Sequence, residues 1–311
     1  MPGATGGGPR TDSLLEELRK AHVQSLVIAG PDALYGKYTV SAAGPDSRQP
    51  VYSVTKTILA LLVGIALHDD ALPATLSSPL ALSGEKLPPI RQLLTMTAGY
   101  DWHEWNDWGN ASRKMKAQDN WTLYFSSRPR LAPAGGMAFA YDSGSAHLMA
   151  AVLANAVGDL EKYLGAKLFG PLGITDYSWQ RSPEGIPYGG SGLSMRPADL
   201  IKIGQLFLHK GSWEGKQVVP ASWIAAMTRQ QVPAAAVRAF FASEAKGENK
   251  IDDCGYGYFV WVRSNYYFAM GYGGQLLVVL PGDKITIAMT GTAFQDSFGA
   301  LDRINDIMAR K

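Results

Sequence analysis

Cysteine is nearly absent from this 311-residue chain: Cys254 stands alone, so no internal disulfide can form and the redox compartment stays open. With no histidine near it in sequence, Cys254 reads as a small semi-buried apolar residue rather than a nucleophile. An excess of one charge is missing too. The 29 basic and 27 acidic residues leave a net charge of +2 with the signs interspersed, so neither nucleic acid nor a membrane is expected as a partner. No stretch reaches the ~18 uninterrupted apolar residues of a membrane span. The glycine-rich start, MPGATGGGPR, lacks a basic-then-apolar export pattern, which points to a cytoplasmic location. Histidines number only five, and His103-Glu104 lacks the second histidine of a HExxH zinc site, so no metal or other cofactor is implied. The G-x-S-x-G elbow of an α/β-hydrolase is absent as well.

What is present is a change of texture along the chain. Ser13-Leu-Leu-Glu16 is a capping-box pattern that predicts an amphipathic helix from Ser13 onward. Strand-like runs follow at 25–29 and 34–41. From about 51 to 245 the signals are mostly helical, with helices expected at 53–68, 143–157, 160–169, 197–209 and 220–228. Strands return at 256–262, 266–270, 275–280 and 284–289, the last two joined by Pro281-Gly282-Asp283, a hairpin signal. A closing helix is expected through Phe294, Phe298, Leu301 and Ile304. Strands at both ends around a helical block predict an α/β fold: an antiparallel sheet assembled from both termini and flanked by terminal helices, with a mostly helical insertion. The expected division is 1–48 with 246–311 for the sheet, 49–245 for the helical part, and an active site between them.

Ser53-Val-Thr-Lys56 stands at the mouth of the apolar run from Ile58 to Leu67. On a helix starting there, Ser53 and Lys56 share one face. Burial of the lysine would cost it hydration, lower its pKa and let it act as a base on the serine. The same four residues would equally suit an N-cap serine followed by a lysine that snorkels to solvent. Two further segments bear on the choice: Tyr141-Asp142-Ser143, just ahead of an apolar helix, and Met270-Gly-Tyr-Gly-Gly-Gln275 between two strands.

In this order and at these separations the three motifs resemble the serine β-lactamase and penicillin-binding-protein superfamily, and within it the class C-like esterases and 6-aminohexanoate-dimer hydrolases. Leu93-Leu-Thr-Met-Thr-Ala-Gly-Tyr100 and Gly192-Leu-Ser-Met-Arg-Pro-Ala-Asp-Leu200 are similar to family stretches too. The resemblance implies an acyl-enzyme hydrolase of small esters or amides. Ser53 would be the nucleophile, Lys56 its proton-transfer partner, Tyr141 the proton shuttle, and the backbone amides of Ser53 and Gln275 the oxyanion hole. Gly273 and Gly274 would let the strand approach substrate. Whether Lys56 or Tyr141 deprotonates Ser53 stays open, as does the oligomeric state.

Two departures narrow the chemistry. Ser143 stands where the family motif usually has asparagine, and a hydroxyl offers one donor where an amide offers two. Tyr272 stands where penicillin-recognising members carry lysine, so a substrate carboxylate loses its charged partner there unless Arg196 or Arg263 supplies one. Substrate contacts are expected from Ser143, Tyr272, Gly273 and Gly274, and from the loop residues Tyr100, Trp102, Trp105 and Asp107. The loop's tryptophans suggest an apolar wall, and Asp101, Glu104 and Asp107 an acidic rim suited to an ammonium-bearing substrate. A loop whose tryptophans only pin it to the helices would read the same way.

Overall fold

The computed structural model describes residues 9–41, 43–73, 75–78, 80–82, 84–104, 111–131, 138–244 and 253–293. Its centre is an antiparallel sheet of seven strands drawn from both ends of the chain: β1 (Val23–Ala29), β2 (Leu34–Thr39), β3 (Gly255–Tyr256), β4 (Trp261–Val262), β5 (Tyr267–Gly271), β6 (Gln275–Leu280) and β7 (Ile285–Gly291). The spatial order is β3-β4-β5-β6-β7-β1-β2, so Val23 pairs with Gly291 and the two ends of the chain meet in mid-sheet. Every residue of β6 and β7 is buried. Strands so uniformly apolar must be covered on both faces, since a half-exposed strand alternates. Helix α1 (Pro9–Lys20) packs on β1, helix α2 (Val54–His68) packs on β5 and β6, and the helix over Pro197–Leu208 packs on β1, β6 and β7.

Helix α2 is apolar nearly all round, and its residues from 54 to 66 are all buried. It lies beneath a second buried helix, Ser143–Val157, whose N-cap Asp142 accepts from the amide and hydroxyl of Ser145. Three two- or three-stranded ladders punctuate the helical stretch. One of them joins Gln49–Pro50, Leu193–Met195 and Tyr177–Trp179 and lies beside the start of α2.

Four expectations are corrected. The first helix starts at Pro9, so Ser13 lies inside it rather than at its cap; proline is well suited to a first helical position. The run at 256–262 is a hairpin, β3 and β4, with Phe259 at φ 52° in the turn. Its turn residues Tyr258 and Phe259 are themselves buried, which is why the run looks like one continuous strand. The segment 160–169 is α-helical only to Leu164 and continues as a π-helical turn, Gly165–Phe169. The small ladders were hidden because strands of two or three residues are too short to show an alternating pattern. The closing helix expected beyond residue 293 lies outside the described residues.

Candidate active site

Ser53 occupies the N-cap position of α2 and makes no side-chain capping bond, so its hydroxyl is left for other work. The residue before it, Tyr52, has φ 45°, a left-handed conformation that costs a non-glycine residue about 1–2 kcal/mol. One turn further on, Lys56 is only 1% exposed, which excludes snorkelling. Its ammonium reaches Ser53 Oγ at 3.0 Å, Ser143 Oγ at 3.1 Å and the Gly190 carbonyl at 2.6 Å, and it lies 5.0 Å from the centre of the Tyr141 ring. Burial is the main cause of a Lys56 pKa lowered to about 8, against the opposing pull of the Glu104 and Asp142 carboxylates.

Tyr141 is buried, stacks on Trp261 at 5.8 Å, and hydrogen-bonds Ser53 through its hydroxyl. Burial pushes its phenol well above the ordinary tyrosine value despite that bond. The neighbouring Asp142 is pushed up to about 7, also by burial, which the hydrogen bonds from Ser145 only partly offset.

Glu104 joins this group from the loop after Tyr100. Its carboxylate accepts from the Ser143 amide at 2.9 Å and hydroxyl at 2.7 Å, from Ser112 Oγ at 2.8 Å and from Trp102 Nε1 at 2.5 Å. The acidic rim is therefore corrected: Glu104 turns inward, and Asp101 is engaged by Arg128 at 3.3 Å and His103 at 3.5 Å. Tyr100 and Trp102, at 5% and 3% exposed, pack on Phe125 with ring centres 4.3 and 5.2 Å away. They anchor the loop and support Glu104 instead of forming a substrate wall. Trp105 and Asp107 lie outside the described residues.

Across the cleft, Gly271 at the end of β5 lies against the turn that carries Ser53; a Cβ there would stand 2.4 Å from the Val51 carbonyl oxygen and 3.1 Å from the Ser53 amide nitrogen. Gln275 pairs with Gly271 across the hairpin, its side chain tied to Gly291 and the Tyr272 carbonyl. Gly273 and Gly274, at φ 85° and 87°, make the left-handed turn itself, and the close approach to the Ser53 turn is made by Gly271. Tyr272, 56% exposed, meets Tyr52 edge-on at 5.8 Å. Neither suggested arginine is spare: Arg196 binds Asp199 at 2.6 Å, and Arg263 binds Cys254 Sγ at 3.0 Å.

A Beta-lactamase family model matches residues 14–309. The chain belongs to the Beta-lactamase family. A curated relative in Paenarthrobacter ureafaciens, a 6-aminohexanoate-dimer hydrolase, is 27% identical over 221 residues, 64% of this chain. The match takes in 55% of the relative, so this Beta-lactamase-family chain spans about half the length of that protein. A Bacillus anthracis structure with a provisional 6-aminohexanoate-dimer hydrolase assignment superposes with a TM-score of 0.77 at 16% identity, covering 95% of this chain and 80% of that one. EstCE1, a hydrolase with promiscuous acyltransferase activity, superposes with a TM-score of 0.71 at 15% identity, covering 94% of each chain. At such identities the likeness establishes the Beta-lactamase fold and leaves chemistry to the residues. Among those residues, Glu104 was expected in a substrate-facing acidic rim, and its inward role beside Ser143 was not foreseen; Lys116, whose charge acts on Lys56, follows Arg113 and Lys114 in a run that looks like an ordinary basic helix face. Ser143 in place of asparagine was the available signal, because a shorter side chain in a buried polar site needs an additional partner.

Proposed function

We propose that the protein is a serine hydrolase that cleaves small esters or amides through an acyl-enzyme, of the esterase or 6-aminohexanoate-oligomer type. The observation that carries this reading is the 3.0 Å contact between Ser53 Oγ and a buried lysine whose pKa is lowered to about 8. Neutral Lys56 donates to Gly190 and Ser143 and presents its lone pair to the Ser53 hydroxyl. Ser53 Oγ attacks the substrate carbonyl carbon as its proton passes to Lys56, and the oxyanion is held by the amides of Ser53 and Gln275, each such donor contributing about 3 kcal/mol. Between the two candidate bases the electrostatics favour Lys56, because burial makes its neutral form accessible and makes the phenolate of Tyr141 costly. Tyr141, bonded to Ser53, then relays a proton from Lys56 to the leaving group as the carbonyl bond to it breaks. Attack by water on the acyl-enzyme, with the proton moving back along the same path, releases the acid and restores Ser53.

Ser53 should be the residue modified by a fluorophosphonate probe, with intact mass and peptide mapping locating the adduct, and Ser53→Ala should abolish hydrolysis of short p-nitrophenyl esters. An adduct solely on another serine, or esterase activity that survives Ser53→Ala, overturns the assignment.

A further inference from the structure

A cavity of about 410 Å³ is lined by Tyr52, the residue before Ser53, and by none of the proposed proton-transfer residues. Its lining includes Tyr52, Lys116, Ser178, Gln180, Ser191 and Ser194. Ser178 and Ser194 face each other across an antiparallel ladder, so their side chains emerge side by side on one face. Ser191 hydrogen-bonds the Tyr188 hydroxyl, and the Lys116 ammonium lies 4.6 Å from the centre of the Tyr188 ring. Among the described residues, Lys116 is the one charged group in the lining and forms no ion pair. The nearest relevant carboxylate, Glu104, already accepts four hydrogen bonds elsewhere.

A cation ringed by hydroxyls and a carboxamide matches a carboxylate, which takes several donors at once. The cavity also has a side. Ser191 and Gly192 of its lining directly follow Gly190, the carbonyl partner of Lys56, and neither Tyr141 nor the Trp261 and Tyr256 around it line it. In the mechanism proposed above the leaving group must face Tyr141, so this cavity takes the acyl portion. We infer that the protein carries an anion subsite centred on Lys116 that selects substrates whose acyl chain ends in a carboxylate, of the dicarboxylic hemiester or hemiamide class, over 6-aminohexanoate oligomers, whose acyl chain ends in an ammonium. The acyl-side assignment rests on the hydrolase reading, whereas carboxylate binding at Lys116 does not. A cation absent at Tyr272 is thus supplied from a different element, by Lys116 in the cavity that Tyr52 also lines, which changes the part of the substrate that is recognised.

Two measurements test this separately from hydrolysis itself. Calorimetry with glutarate as the probe, on Ser53→Ala protein with and without Lys116→Met, should show binding that weakens by about tenfold or more when the cation is removed, the worth of a charge-assisted hydrogen bond. Turnover of p-nitrophenyl hydrogen glutarate relative to p-nitrophenyl butyrate should fall by a similar factor in Lys116→Met and further in Lys116→Glu, with added salt eroding the wild-type ratio. Glutarate that binds neither protein, or both equally, overturns the subsite. An unchanged glutarate-to-butyrate ratio with Ser53-dependent turnover overturns the acyl-side preference and leaves the hydrolase intact. Lys116-dependent glutarate binding in a protein that hydrolyses no ester and resists the fluorophosphonate would sink the hydrolase reading and keep the subsite.

Discussion

Glu104 grips Ser143 twice, taking its amide proton at 2.9 Å and its hydroxyl proton at 2.7 Å. With that proton committed to a carboxylate, the Ser143 oxygen can only accept, and what it accepts is a proton from Lys56 Nζ. The pair therefore gives Lys56 an acceptor, as an amide oxygen would, but keeps no side-chain donor to spare, while placing a negative charge near the lysine. That charge raises the Lys56 pKa and burial lowers it; burial dominates.

The pH profile should report this balance. In the proposed mechanism Lys56 works as the neutral amine, so kcat/KM should rise with pH through an apparent pKa of about 8. Glu104→Gln removes a group that favours the ammonium, so the rising limb should move to lower pH. Stopped-assay rates from pH 5 to 10 on a short ester, taken as an order-of-magnitude window around ~8, decide the matter. A slower enzyme with an unmoved limb would make Glu104 merely a support for the loop.

Tyr141→Phe and Lys56→Ala should each lower turnover by at least ~100-fold, the usual worth of positioned proton transfer. Circular dichroism checks that each variant stays folded. Near-normal acylation and deacylation rates in Tyr141→Phe would remove the phenol from the proton path.

Benzylpenicillin should be turned over far more slowly than an uncharged short ester, because the resemblance implies that Tyr272 stands in the place of the cation that would meet its carboxylate. Parallel assays on purified protein settle this, and comparable kcat/KM values would mean that another group holds the penicillin carboxylate. Tyr272→Lys is the gain-of-function counterpart.

Gly271→Ala should damage both stability and activity, since its Cβ would meet the Val51 backbone oxygen at 2.4 Å and push β5 away from the Ser53 amide. Thermal melts should fall by an amount typical of core overpacking, about 1–3 kcal/mol. A variant with wild-type melting and esterase rates would show that the cleft has slack here.

Glu184 accepts from the Trp121 and Thr122 amides at 3.2 and 2.9 Å, capping the helix Trp121–Ser126, and pairs with buried His147 at 3.3 Å. Burial raises its pKa, but these hydrogen bonds outweigh that and hold the carboxyl well below the ordinary range. Its contribution is therefore present above the unfolded carboxylate pKa and lost as pH falls below it. Glu184→Ala should cost about 1–2 kcal/mol, as lost caps do, in urea unfolding at neutral pH, with the difference from wild type narrowing in acid.

The clustering of Ser53, Lys56 and Tyr141 was largely legible because these residues announce themselves by spacing: a serine and lysine one turn apart before an apolar helix, a tyrosine at the start of another, a glycine-rich turn between strands. The environment that tunes them was not. Gly190 contributes a carbonyl, which has no side-chain signature, and Glu104 sits among residues that look like a polar loop. Trp102 and Tyr100 mark the limit of compositional reasoning, since an aromatic cluster is equally compatible with a substrate wall and with the packing against Phe125 that it adopts. The sheet's long strands were visible through their apolar runs, whereas the hairpin at Tyr258 and Phe259 was disguised by aromatic residues in its turn.

The pairing of Val23 with Gly291 bears on how the protein is made. Synthesis delivers Ser53 and Lys56 early, but β5, β6 and β7 leave the ribosome more than two hundred residues later, and β1 has its inner neighbour only then. Contacts so distant in sequence form slowly, after a large loop has closed. Until they do, the apolar faces of α2 and β1 have no sheet to cover them and are exposed to wrong partners. Lys56 meanwhile stays hydrated and fully charged, so a nascent or truncated chain lacking the last strands carries an ordinary serine and an ordinary lysine.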